Sequence, residues 1–122
     1  MTPRVDSLRK AILRLREALD AAETDVSRDA AIQRFEFCFE LAWKTIQERA
    51  RKEGLDCQSP KGCFKLAFKN RWIADENGWL AMLEDRNRTA HTYDEELAKE
   101  VSRRLPRYLP LLEALLLKLR EE

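Results

Sequence analysis

The sequence predicts an all-α fold, an antiparallel up-and-down four-helix-type bundle with one additional short helix, and three observations carry that expectation. Only three glycines and four prolines punctuate the 122 residues. No window shows sustained alternation of β-branched residues, so a sheet has no obvious home. Apolar residues instead recur at three- and four-residue spacing, the period that gathers side chains on one face of a helix. With 44% hydrophobic residues, a chain of 14.4 kDa can bury one core without help from cross-links. Residues 1–122 are therefore expected to form a single helical domain.

The first helix is read from Val5, Leu8, Ile12, Leu15 and Leu19 and ends near Ala22, leaving Glu23 to Ser27 as the turn. A second, long helix starts near Ser27, where Ser, Asp and Thr side chains can accept from free amides, and runs to about Glu53 before Gly54. Ile32, Phe35, Phe39, Trp43 and Ile46 form its main stripe, widened by Phe37, Cys38, Leu41 and Ala42. So broad an apolar surface suits a central helix or one that buries a second face in a dimer. Ser59-Pro60 is an N-cap followed by proline at the first helical position, so a short third helix is expected to about Lys69. A fourth, from about Glu76 to Ala90, carries Trp79, Leu80, Met82 and Leu83. The fifth is expected to begin near Thr92-Tyr93-Asp94-Glu95, a capping-box spacing of Thr and Glu, with Leu97, Val101, Leu105, Leu109, Leu112, Leu116 and Leu119 inward. Pro106 and Pro110 interrupt that pattern, and a bend or break is expected there.

Twenty-three basic and 22 acidic residues leave a formal charge of +1, so no global field holds a polyanion and any nucleic-acid contact must be local. Residues 44–72 hold eight basic against three acidic residues, and residues 73–100 reverse this with eight acidic against three basic. Opposed patches suit intramolecular pairing, a two-fold dimer or a charged partner. Three cysteines, Cys38, Cys57 and Cys63, are odd in number and lack CxxC spacing, which argues against a disulfide framework and against zinc. The N-terminus runs straight into a charged amphipathic segment, and no stretch has the apolar length of a membrane span. A cytoplasmic protein without membrane contact is expected.

His91 is the only histidine and lies five residues after Arg86. In a continuous helix that spacing separates two side chains by about 140°, whereas a helix end between them lets both converge. Imidazole exchanges a proton near neutral pH, and guanidinium grips phosphate through a fixed fork of donors. Together they suit phosphodiester cleavage without metal. Arg and His at a helix C-terminus also complement the macrodipole and can cap free carbonyls, and spacing alone does not separate the two readings.

The segment Arg86-Asn87-Arg88-Thr89-Ala90-His91 resembles the Arg-x4-His signature of the HEPN superfamily, including the polar residue after the arginine. The extension His91-Thr92-Tyr93 resembles its HepT branch, formerly named nucleotidyltransferase substrate-binding proteins, and Arg34 to Lys44 (RFEFCFELAWK) is similar to that branch's other hallmark block. With Ser59-Pro60 before a helix and Trp79 before the motif, the likeness covers nearly the whole chain. It implies a HEPN-like bundle that forms a homodimer or higher homo-oligomer, with two Arg/His pairs lining one cleft. It further implies a separate cognate minimal nucleotidyltransferase, a metal-independent ribonuclease toxin acting on RNA, and silencing by AMP transfer to the tyrosine of the motif, here Tyr93. Arg86, Asn87 and His91 are then the catalytic candidates, with no cofactor or metal expected. The alternative is a noncatalytic subunit that presents a nucleotide or other substrate to the nucleotidyltransferase. The chain lacks the Gly-Ser loop and paired aspartates of the nucleotidyltransferase itself.

Arg34, Glu36 and Glu40 place charges on the apolar second helix, either as ion pairs within the bundle or as groups that position Arg86 or a nucleotide. Lys61, Lys65 and Lys69 repeat every four residues, interleaved with Phe64, Phe68 and Trp72, as a solvated face over a core stripe or as an RNA track. Trp43, Trp72 and Trp79 read as core or interface anchors and Cys38 as a small core residue. Tyr93 is either packed at a helix junction or exposed for modification, which requires access.

Overall fold

Each helix starts where a short polar side chain takes up free amides. A computed structural model describes residues 2–120. Thr2 accepts from Val5 N to open α1 (Pro3–Asp20), and Thr24 and Ser27 exchange hydrogen bonds in a capping box that opens α2 (Asp25–Lys52). Thr24, three residues before Ser27, is thus the cap of the second helix, and the connection from α1 lies about two residues earlier than expected, because α1 ends at Asp20. Ser59 and Asp75 accept from Gly62 N and Gly78 N to open α3 (Pro60–Lys69) and α4 (Glu76–Arg88). A 3-10 turn, Thr89–His91, follows α4, and α5 occupies Glu95–Arg120. The capping-box expectation for Thr92 and Glu95 fails. Asp94 takes the role, its carboxylate accepting from Glu96 N and Leu97 N, because the 3-10 turn commits the Thr92 hydroxyl to the Thr89 carbonyl.

The helix α1 packs on α2 and α5, α2 on α5, and α4 on both α5 and α2, while the short α3 lies against α2 and α4. Val5, Leu8, Ile12 and Leu15 of α1 are buried as their spacing requires, together with Phe35, Cys38, Phe39 and Ile46 of α2. A chain of rings crosses the bundle: Tyr108 of α5 stacks on Phe35, Phe35 meets Phe39, Phe39 meets Phe64 of α3 edge-on, and Phe64 meets Trp79 of α4. These contacts tie four helices into one apolar core. The helix α5 continues unbroken through Pro106 and Pro110, both at least partly open to solvent. Solvent takes the place of the lost intrahelical donors, while Leu105, Tyr108 and Leu112 hold the other face down. Gly78 is needed at the start of α4 because a β-carbon there would come within 2.4 Å of Asp75 Oδ2 and 2.9 Å of Leu111 Cδ1.

The cysteine expectation requires correction: Cys57 and Cys63 form a disulfide, with Cα atoms 5.1 Å apart. The Ser59-Pro60 turn folds the loop back over the first turn of α3, and Gln47 Nε2 holds the Cys57 carbonyl at 2.8 Å. A spacing of six residues across an N-cap brings the thiols together without any CxxC motif. Cys38 is a buried free thiol, and burial pushes its pKa up to about 12, as suits an inert core residue. Among the described residues, no helix is long and apolar enough to cross a membrane.

Candidate functional site

Trp79, Met82 and Asp85 follow one another at three-residue intervals on α4, and all three are buried. The apolar stripe thereby carries a carboxylate into the core, where it must find partners. Arg104 of α5 donates to it twice, Nε to Oδ2 and Nη2 to Oδ1, both at 2.8 Å. Arg88 Nη1 adds a bond at 2.8 Å, and the Tyr108 hydroxyl donates to Oδ2. Burial pushes the Asp85 carboxyl upward, but the bonds from Arg104, Tyr108 and Arg88 together outweigh it and hold it below the usual carboxylate value. Burial and the bond to Asp85 push the Tyr108 phenol well above its ordinary range. This network clamps the last turn of α4 to α5.

Arg86 is the next residue, and the turn of the helix carries it from α5 toward α2. Its Nη2 pairs with Glu40 Oε1, and its guanidinium carbon lies 5.1 Å from the centre of the Phe39 ring. Glu40 is fixed in turn by the Trp43 indole, whose Nε1 donates to Oε2 at 3.2 Å, with Lys44 Nζ 3.8 Å away. The arginine is therefore aimed by a carboxylate on one side and a ring face on another, with about a third of its side chain open to solvent. Asn87 Oδ1 is 3.5 Å from Arg86 Nη1.

Thr89 Oγ1 donates to the Arg86 carbonyl at 2.6 Å, and Thr92 Oγ1 to the Thr89 carbonyl at 3.1 Å. The carbonyl capping that one reading gave to Arg86 and His91 falls to threonine hydroxyls, which leaves the two longer side chains for other contacts. His91 is exposed at the end of the 3-10 turn, and its Nδ1 lies 3.3 Å from the Tyr93 hydroxyl, the rings meeting edge-on. Tyr93 is 86% exposed, so the packed alternative for its ring does not hold. Beside it, a groove of about 550 Å³ is lined by Asp29, Ile32, Gln33 and Glu36 of α2 and by Thr92 and Tyr93.

The remaining sequence candidates divide. Glu40 joins Arg86 directly, Glu36 faces Tyr93 across the groove, and Arg34 is half-buried on α2. Lys61, Lys65 and Lys69 are exposed along α3, but Phe64 and Trp72 belong to the core, leaving Phe68 as the exposed ring of that stripe. Asp85, Arg104 and Tyr108 are site residues that the sequence reading does not single out. The signal that could find them is a carboxylate at the three-residue spacing of a buried stripe. Among the described residues, no group of three or more His, Cys, Asp or Glu side chains is arranged to hold a metal.

Residues 3–121 match the family described as nucleotidyltransferase substrate binding protein like. A curated relative, "Probable ribonuclease HepT" of Haemophilus influenzae, is 31% identical over 84 residues, which are 65% of this chain and 58% of that protein. The chain thus matches less than two thirds of that relative's length. Among solved structures, a Thermus thermophilus protein gives a TM-score of 0.88 at 44% identity, covering 93% of this chain and 99% of its own. A Haemophilus influenzae structure described as the fold of a substrate binding domain of a nucleotidyltransferase gives 0.86 at 27% identity, covering 96% and 99%. A tri-AMPylated Shewanella oneidensis HEPN toxin in complex with an MNT antitoxin shares the fold, with a TM-score of 0.80 at 19% identity over 100% of both chains.

Proposed function

The chain belongs to the nucleotidyltransferase substrate binding protein like family, the HepT-like HEPN proteins its motifs resemble, and from that premise we propose that it is a metal-independent ribonuclease paired with a minimal nucleotidyltransferase. In this reading it is the toxin of a toxin-antitoxin pair, silenced when the partner transfers AMP to Tyr93. The observation that carries the reading is the division of labour at the end of α4. Arg86 is held by Glu40 and Phe39, while His91 and Tyr93 stand exposed a few residues further on. The curated relative named as a ribonuclease and the solved HEPN toxin with its MNT antitoxin support it.

Cleavage through the 2′-hydroxyl needs one group to remove a proton and another to protonate the leaving oxygen. One histidine per chain supplies one such group, so two chains related by a two-fold axis would supply both. Arg86 stabilises the charge that develops on the phosphate, with the free part of its guanidinium turned to the substrate. Asn87, beside Arg86, shares the phosphate. Lys61, Lys65, Lys69 and Phe68 offer the RNA strand charge and one stacking surface along α3.

One observation favours the second reading, a noncatalytic subunit that presents a nucleotide or other substrate. Arg86 already has an anionic partner in Glu40, which would weaken its hold on phosphate. Incubating the purified protein with mixed RNA in EDTA separates the two. The ribonuclease reading expects cleavage that disappears after treatment with the partner nucleotidyltransferase and ATP, and an assembled dimer that leaves RNA intact would favour the binding subunit.

A further inference from the structure

Phenols hold their proton at neutral pH, so a tyrosine that attacks phosphorus needs a base beside its hydroxyl. Among the described residues, the group in hydrogen-bond reach of the Tyr93 hydroxyl is His91, whose Nδ1 is 3.3 Å away. The rings meet at 79°, with centroids 5.9 Å apart, and the contact places an imidazole nitrogen at the phenol oxygen. The carboxylates nearby are placed differently. Asp94 is committed to the first amides of α5, and Asp29 and Glu36 lie across the groove on α2 without a hydrogen bond to the phenol.

We propose that His91 is the general base for the modification of Tyr93, taking the phenol proton on Nδ1 as the hydroxyl attacks a nucleoside triphosphate held by the partner enzyme. This rests on the reading of Tyr93 as AMP acceptor. The Tyr93 oxygen forms a bond to the α-phosphorus while the bond from that phosphorus to the bridging oxygen of the β-phosphate breaks. Pyrophosphate leaves with the electron pair. The phenol proton passes to His91 Nδ1 and then to water, whose access the exposure of both rings allows. For Nδ1 to accept, the imidazole must carry its proton on Nε2.

The consequence is a coupling between activity and silencing. The imidazole that serves RNA cleavage also serves the reaction that stops it, so a chain whose histidine is disabled resists modification as well. Once Tyr93 carries AMP, Nδ1 loses its hydroxyl neighbour and a phosphodiester occupies the space beside the imidazole. The two carboxylates across the groove then face a negatively charged group and disfavour its folding back onto α2.

The test is single-turnover transfer of label from ATP labelled at the α-phosphate, with Mg²⁺ and the cognate nucleotidyltransferase, to the full-length chain, with the acceptor mapped by mass spectrometry. Wild type is expected to be labelled on Tyr93 and Tyr93→Phe to stay unlabelled. His91→Ala should be labelled about a hundredfold more slowly, with unchanged partner binding, and free imidazole should restore much of that loss. Labelling of His91→Ala at the wild-type rate overturns the proposal while leaving Tyr93 as acceptor. A loss that imidazole does not restore also overturns it, by assigning His91 a packing role. Wild-type labelling that is absent, or that persists in Tyr93→Phe, removes the acceptor reading on which the proposal rests.

Discussion

The carboxylate of Glu40 on α2 holds the guanidinium of Arg86 on α4, joining residues 46 positions apart in the chain at the point where α4 gives way to its 3-10 turn. Glu40 carries a second bond from the Trp43 indole, so the arginine leans on a partner that is itself fixed. Positioning of this kind places a charge without leaving the choice to a flexible side chain.

Glu40→Gln keeps the shape of the partner and removes its charge. Both side chains are about a third exposed, so the stability change should be small, about 0.5 kcal/mol by urea titration. RNA cleavage should fall about tenfold through misplacement of Arg86, measured as kcat on a defined RNA. Unchanged kcat would mean that Glu40 contributes only to packing.

Asp85→Asn should be far more costly, about 2–3 kcal/mol, because it leaves Arg104 and Arg88 facing a neutral amide in a fully buried position. Tyr108→Phe should cost about 1 kcal/mol through the lost donor. Chemical denaturation of each variant measures both.

The same network fixes how stability depends on pH. The Asp85 carboxyl is held below its ordinary 3.8, so its contribution is present above about pH 4 and lost as pH falls through the lowered value. The Tyr108 phenol is raised above its ordinary 10.0, so its contribution is present below about pH 10 and lost as pH rises toward the raised value. Thermal melts across pH should show an acid limb diminished in Asp85→Asn and an alkaline limb diminished in Tyr108→Phe.

Reduction of the Cys57–Cys63 bond opens a small loop over the start of α3 and should lower stability by about 1–2 kcal/mol, read as a shift of the denaturation midpoint in reductant. Native protein should give no fast reaction with a thiol reagent, because Cys38 is buried and burial pushes it up to about 12.

The helical architecture is legible in the sequence because most of its information is local. The stripes through Val5, Phe35 and Leu112 and the caps at Ser59 and Gly54 repeat at spacings that a single helix imposes. The cap at Asp94 is harder to read than its neighbour Thr92 suggests, because two nearby polar residues compete for the role and the 3-10 turn decides between them. The Cys57–Cys63 bond is hidden because its closeness depends on the direction of the Ser59-Pro60 turn rather than on spacing.

At the site, Arg86, Asn87, His91 and Tyr93 stand together in one segment, and the family resemblance marks them out. That Glu40 rather than Glu36 meets Arg86 depends on how α4 is rotated against α2. That rotation is set by Asp85, Arg104 and Tyr108, three residues on two helices whose meeting no single window displays. Asp85 reads as a buried charge only when placed on the stripe with Trp79 and Met82.

The assignment of RNA cleavage to Arg86 and His91 is tested by the rate at which wild type, Arg86→Ala and His91→Ala, each shown to be folded by circular dichroism, cleave a defined RNA in EDTA. Cleavage by wild type and a loss of at least about a hundredfold in each variant are expected. Variants that cleave as fast as wild type, or a folded and unmodified wild type that leaves the RNA intact, would contradict the assignment.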